Sequence, residues 1–130
     1  MTRHLTQEWI DLEQDAMSGL PEVPGCTVHV RYVVTGAADG DVRYEHRWED
    51  GRLTSGSLGD GDAEPDVVLT VPHDVAVALL DGQLGLNAAY MQGRVKLPDT
   101  RSGPLLQLLA RTSTDEYRRA QAEVAAATER

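Results

Sequence analysis

Val42-Arg43-Tyr44-Glu45-His46-Arg47-Trp48-Glu49 is the stretch on which the fold turns. In an extended chain Val42, Tyr44, His46 and Trp48 share one face, and Arg43, Glu45, Arg47 and Glu49 share the other. A strand divided this way belongs to an antiparallel sheet that is covered on one side and wet on the other. Asp50-Gly51 follows at once, a pair favoured by two-residue hairpins, and leads into a weaker strand over 52–58. Upstream, Gly36 to Gly40 is a reversal. Before it residues 26–35 alternate, with Val28, Val30, Tyr32 and Val34 on one face. A three-stranded meander is therefore expected between 26 and 58.

Helical periodicity flanks this meander. Over 6–20, Trp9, Ile10, Leu12, Ala16, Met17 and Leu20 fall within an arc of roughly 160°. Glu13 falls inside the same arc. Thr6 suits an N-cap, Leu5 and Ile10 have the spacing of a hydrophobic staple, and Pro21 to Gly25 ends the helix. After the acidic turn 59–65, residues 66–71 read as a fourth strand. A helix apolar nearly all round follows, through Val75, Leu79 and Leu80 to Gly82. A short helix over 86–92, a fifth strand over 94–97, a leucine-dense segment at 104–109 and a polar, alanine-rich final helix complete the order. The expected class is α+β: a five-stranded, mainly antiparallel sheet with helices packed on one face. One domain covers 1–130, with an N-terminal helix at about 6–20, sheet and helices over 26–112, and a C-terminal helix at about 114–129.

Composition limits what such a domain does. A chain of 130 residues and 14.2 kDa has room for one core and one internal cavity. With 21 acids against 12 bases, a net charge of −9 disfavours a phosphate polymer, so a nucleic-acid partner is not expected. No apolar run approaches the roughly 18 residues of a membrane span, and no signal peptide is visible at the N-terminus. Cys26 stands alone, which fits a reducing cytoplasm. The charge is uneven. Residues 1–93 carry sixteen acids and five bases, whereas residues 94–130 carry five acids and seven bases. Arg111, Arg118 and Arg119 thus suggest a basic face for transient contact with an anionic membrane.

Motifs for chemistry are missing. Ser57 has no glycine two residues before it, so the nucleophile-elbow pattern fails, and there is no phosphate loop. His4, His29, His46 and His73 stand on separate elements, so no metal or cofactor is expected. Asp60, Asp62, Glu64 and Asp66 begin like a calcium loop, but Pro65 takes the glycine position and Val71 the bidentate glutamate position. His46 shares the inward face with Tyr44 and Trp48. It reads either as a core histidine or as a group that meets a ligand. Glu13 presents the same choice.

Asp66-Val67-Val68-Leu69-Thr70-Val71 and the helix Asp74 to Leu84, followed by Ala88-Ala89-Tyr90-Met91-Gln92-Gly93-Arg94-Val95-Lys96-Leu97, resemble the sterol carrier protein type 2 family. Glu8-Trp9, Tyr32 to Gly36 and Glu49-Asp50-Gly51-Arg52 are similar to its stand-alone bacterial branch. The likeness runs in order along nearly the whole chain. It departs at Leu97-Pro98-Asp99-Thr100, where the family often has a glycine turn, and at Gly85-Leu86, where Asp-Pro is usual. The chain ends Thr128-Glu129-Arg130, without a peroxisomal address.

The resemblance implies an apolar tunnel between sheet and helices for a sterol, fatty acid or fatty acyl chain. Val75, Leu79, Leu80, Tyr90, Met91, Leu105, Leu106, Leu108 and Leu109 are its implied walls, together with Tyr44, His46 and Trp48 on the inward sheet face. Three functions stay open at this point. One is a non-enzymatic carrier of a hydrophobic small molecule. Another is a small enzyme or biosynthetic accessory protein acting on an apolar substrate in the same cavity, with His46 or Glu13 as acid–base group. The third is an interaction module without a ligand.

Overall fold

The computed structural model describes residues 1–98 and 100–130. Along the chain run β1 (Thr2–Arg3), α1 (Gln7–Met17), β2 (Val28–Ala37), β3 (Gly40–Glu49), β4 (Arg52–Leu58), β5 (Val67–Pro72), α2 (His73–Leu80), α3 (Leu86–Met91), α4 (Ser102–Thr112), α5 (Asp115–Ala126) and β6 (Thr128–Glu129). The main sheet has the order β4-β3-β2-β5. Its first three strands are antiparallel neighbours, and β5 joins β2 in parallel. Asp50 and Gly51 both take positive φ, 48° and 84°, as the hairpin between β3 and β4 requires.

The covered and wet faces are those of the alternation. Val28, Val30, Val34, Tyr44, Trp48, Leu53, Val67, Leu69 and Val71 are buried in a core shared with the helices. On the other face Glu45 organises a polar network under the 59–65 turn. His29 Nε2–H donates to Glu45 Oε1 at 2.6 Å, while Arg31 Nε and Gly61 N donate to Oε2 at 2.8 and 2.9 Å. Burial pushes the Glu45 carboxyl up, but these hydrogen bonds prevail and hold it below the usual carboxylate range. Asp60 pairs with Arg43 at 3.0 Å and Arg31 at 3.4 Å, so the acidic turn is tied down by arginines.

The fifth strand is the main departure. Over 94–97 it shrinks to one antiparallel bridge, Thr70 with Lys96, made by two N–H···O bonds of 2.9 Å. In that register the next partner of Val68 is Pro98, which has no N–H to give. The Thr100 hydroxyl serves instead, accepting from Val68 N at 3.0 Å and donating to Val68 O at 3.3 Å. Asp99, within the Leu97–Thr100 departure noted above, lies outside the described residues. The final helix also ends early. Thr128 and Glu129 become β6, paired in parallel with Thr2 and Arg3, a contact too short for any periodicity to reveal.

Helix α1 is held against the edge strand β4. Thr6 caps it, accepting from Trp9 N at 3.2 Å. Gln7 and Gln14 then meet the free edge of β4: Gln7 Nε2 donates to Gly56 O, Leu58 N donates to Gln7 Oε1, and Gln14 Nε2 donates to Thr54 O. A Cβ on Gly56 would stand 2.6 Å from Ile10 Cγ2, so the bare glycine is what lets the helix approach this closely. Gly56→Val is expected to cost about 1–3 kcal/mol through this overpacking. The urea midpoint reads it, and an unchanged midpoint would show that α1 does not rest on Gly56.

Candidate functional site

A cavity of about 560 Å³ lies between the sheet and the helices. Its floor is Tyr32 and Val34 of β2, Tyr44 and His46 of β3, and Leu69 and Val71 of β5. Trp9 and Glu13 of α1 close one side, while Ala76, Leu79 and Leu80 of α2, Leu86 of α3 and Tyr117 and Gln121 of α5 form the opposite walls. The wall residues Asp81, Gly82, Gly85, Asn87 and Ala88, with Ser113, Arg118 and Ala122 facing them, are exposed. The cavity therefore opens between the α2–α3 connection and α5.

Its two halves differ in chemistry. β5, α2 and α3 contribute aliphatic side chains. The half made by α1, β2, β3 and α5 is aromatic and polar. Tyr32 stacks on Tyr44 with centroids 4.6 Å apart and planes 10° apart, as their cross-strand register dictates. Trp9 meets Tyr44 edge-on at 5.6 Å. His46, 3% exposed, donates Nε2–H to Glu13 Oε1 at 3.0 Å. A carboxylate only accepts, which assigns that proton to the imidazole and leaves Nδ1 buried without a partner. Burial first, and with it the Glu13 charge, pushes the Tyr32, Tyr44 and Tyr117 hydroxyls above the ordinary phenol range, with neighbouring phenols adding to the effect on Tyr32 and Tyr44.

The residues singled out in the sequence are distributed as follows. Tyr44, His46, Leu79 and Leu80 line the cavity. Trp48 is buried on the same sheet face but lies beyond His46, beneath Tyr117, and does not reach the space. Val75, Leu105, Leu108 and Leu109 are core residues away from the cavity. Tyr90 is exposed, as are Met91 at 80% and Leu106 at 65%, so these three are not walls. The reason is helical geometry: in a leucine-dense turn, neighbours point about 100° apart, and one cavity cannot collect them all. Tyr32 and Tyr117 belong to the site but are absent from the sequence-based set. Tyr32 carries a signal, since it shares the inward alternation with Tyr44 across the meander. Tyr117 carries only its place in the final helical stripe.

A sheet floored with aromatics under a helical cover, with a cavity between, defines a small α+β container fold. The chain belongs to the SCP-2 sterol transfer family, which matches residues 12–98. Its structure is similar to a crystal structure of sterol carrier protein 2, with a TM-score of 0.67 and 16% identity over 94% of this chain and 96% of that one. A conserved protein of Thermus thermophilus, described as possibly a sterol carrier protein, gives 0.60 at 18% identity over 92% and 80% of the two chains. Palmitated SCP2L2 of Aedes aegypti gives 0.59 at 16% identity over 81% and 95%. A comparison with the curated proteins gives no match. Among the described residues no helix is long and apolar enough to cross a membrane.

Proposed function

We propose that the protein binds a hydrophobic small molecule (a sterol, fatty acid or fatty acyl chain) in this cavity and carries it through the cytoplasm without changing it. The observation that carries this reading is the cavity itself, which has the size of a small-molecule site and one wall made largely of aliphatic side chains. Membership of the SCP-2 family supports it. A fluorescent fatty acid should bind at micromolar concentration and be displaced by unlabelled lipid. Ala76→Trp, which fills the space from α2, should weaken binding at least tenfold. Failure of every lipid and sterol tested to bind the parent protein would remove the proposal.

A second reading has its own observation. The Glu13–His46 pair on the cavity wall has the geometry of a carboxylate that orients a general base. Native mass spectrometry separates the two readings: a carrier retains its ligand unchanged, whereas an enzyme or biosynthetic accessory releases an altered product.

A further inference from the structure

The cavity has a polar end that a plain hydrocarbon chain leaves unused. Glu13 engages only one of its carboxylate oxygens, Oε1, and that with His46. Tyr32, Tyr44 and Tyr117, all cavity-wall residues, bring three phenol hydroxyls to the site. The rings of Tyr32 and Tyr44 stand 5.0 and 5.4 Å from the imidazole of His46, which itself holds Glu13, and Tyr117 lines the same cavity, so the polar groups cluster on one side of it.

Polar groups on a cavity wall lose contact with water when a ligand fills the space, and a ligand that supplies partners is then selected over one that does not. The group best matched to a free carboxylate oxygen surrounded by phenols is a hydroxyl, which donates to the carboxylate and accepts from a phenol. A second carboxylate at the same place would meet a like charge in a site withdrawn from water. Among the described residues no arginine or lysine lines this end to receive it, since Arg118 is an exposed wall residue at the opening.

We propose that Glu13, Tyr32, Tyr44 and Tyr117, with His46 orienting Glu13, form a head-group subsite that takes the hydroxyl end of a hydrophobic ligand inward in preference to a carboxylate end. The inference rests on the lipid-binding reading and narrows it: among hydrophobes of equal length, the uncharged hydroxyl compound is the preferred cargo and enters head first.

Two probes of the same chain length, 1-dodecanol and dodecanoate, test this by displacement of a fluorescent fatty acid at pH 7.5. The parent should be emptied by dodecanol at a concentration at least tenfold below that of dodecanoate. Glu13→Gln keeps the side chain's shape and its contact with His46 but removes the charge, and should shrink that ratio at least fivefold by improving dodecanoate. Tyr117→Phe should weaken dodecanol three- to tenfold and leave dodecanoate unchanged. Equal or tighter binding of dodecanoate by the parent overturns the subsite while leaving lipid binding intact. A ratio that survives Glu13→Gln unchanged also overturns it. Should Glu13→Gln fail to fold, the parent ratio and Tyr117→Phe decide. If the fluorescent fatty acid binds but neither dodecyl compound displaces it, the subsite alone falls. If no lipid binds at all, the carrier reading falls with it.

Discussion

Replacing Arg111 with Gln is expected to lower the stability of the protein by about 3 kcal/mol, the order of two hydrogen bonds from a buried charged group. Arg111 stands in the last turn of α4 and is only 3% exposed. Its Nε donates to Gly51 O at 2.8 Å and its Nη2 to Pro21 O at 3.0 Å. One side chain thus joins α4 to the β3–β4 hairpin and to the segment after α1. The sequence alone placed Arg111 with Arg118 and Arg119 on a basic membrane-facing surface. The structure corrects that for Arg111, because the guanidinium turns inward to satisfy two backbone carbonyls. Arg118 and Arg119 are exposed. Thermal melts of Arg111→Gln and Arg118→Gln side by side give the contrast: a fall of roughly 10 °C for the first and almost none for the second. Equal melting temperatures for all three proteins would refute the structural role.

The second large effect is a dependence on pH carried by His4. Its ring is 8% exposed, edge-on to Trp9 at 4.7 Å and 6.0 Å from His73 of α2, and its Nδ1 has no partner. Burial first, then the charges of His73 and Arg130, lower its pKa from 6.5 to about 4. Between those values the unfolded chain binds a proton that the folded chain refuses. Stability contributed by neutral His4 is therefore full above about pH 7 and is lost as pH falls from 6.5 toward 4. Between pH 7 and pH 5 the loss amounts to about 2 kcal/mol. Glu45, with its lowered carboxyl, acts in the same direction only once pH falls through the ordinary carboxylate range and below. His4→Phe keeps an aromatic ring against Trp9 and should flatten the melting temperature across this window relative to the parent. The same slope in both proteins would mean that His4 takes up its proton without unfolding cost.

Much of the architecture was written where one residue's geometry decides. The period-two alternation of β3, the Asp50-Gly51 pair and the Thr6 cap act through their own backbones, and each is found where the sequence puts it. Elements that depend on a distant partner were not legible. The bridge at Lys96 stops because Pro98 and Thr100 meet Val68, and β1 exists only because β6 lies beside it. The same division runs through the site. Tyr44 and His46 come from the alternation. Leu105, Leu108 and Leu109 supply core rather than wall because packing, not hydrophobicity, decides which side of a helix faces an empty space. Glu13 was readable as an acid on an apolar arc. Its partner His46 became visible only once Gly56 had brought α1 down onto β4.

The parallel pairing of β5 with β2 fixes an order of events in time. β2, β3 and β4 are joined by reversals of two residues and can close as they emerge during synthesis, whereas β5 must return past the whole hairpin before it finds its place. The aromatic part of the container, on α1, β2 and β3, is thus produced first. Its aliphatic part, on β5 through α3, follows, and Tyr117 comes late in the chain. A nascent chain halted before α5 lacks the wall that Tyr117 and Gln121 supply and leaves the cavity open on that side.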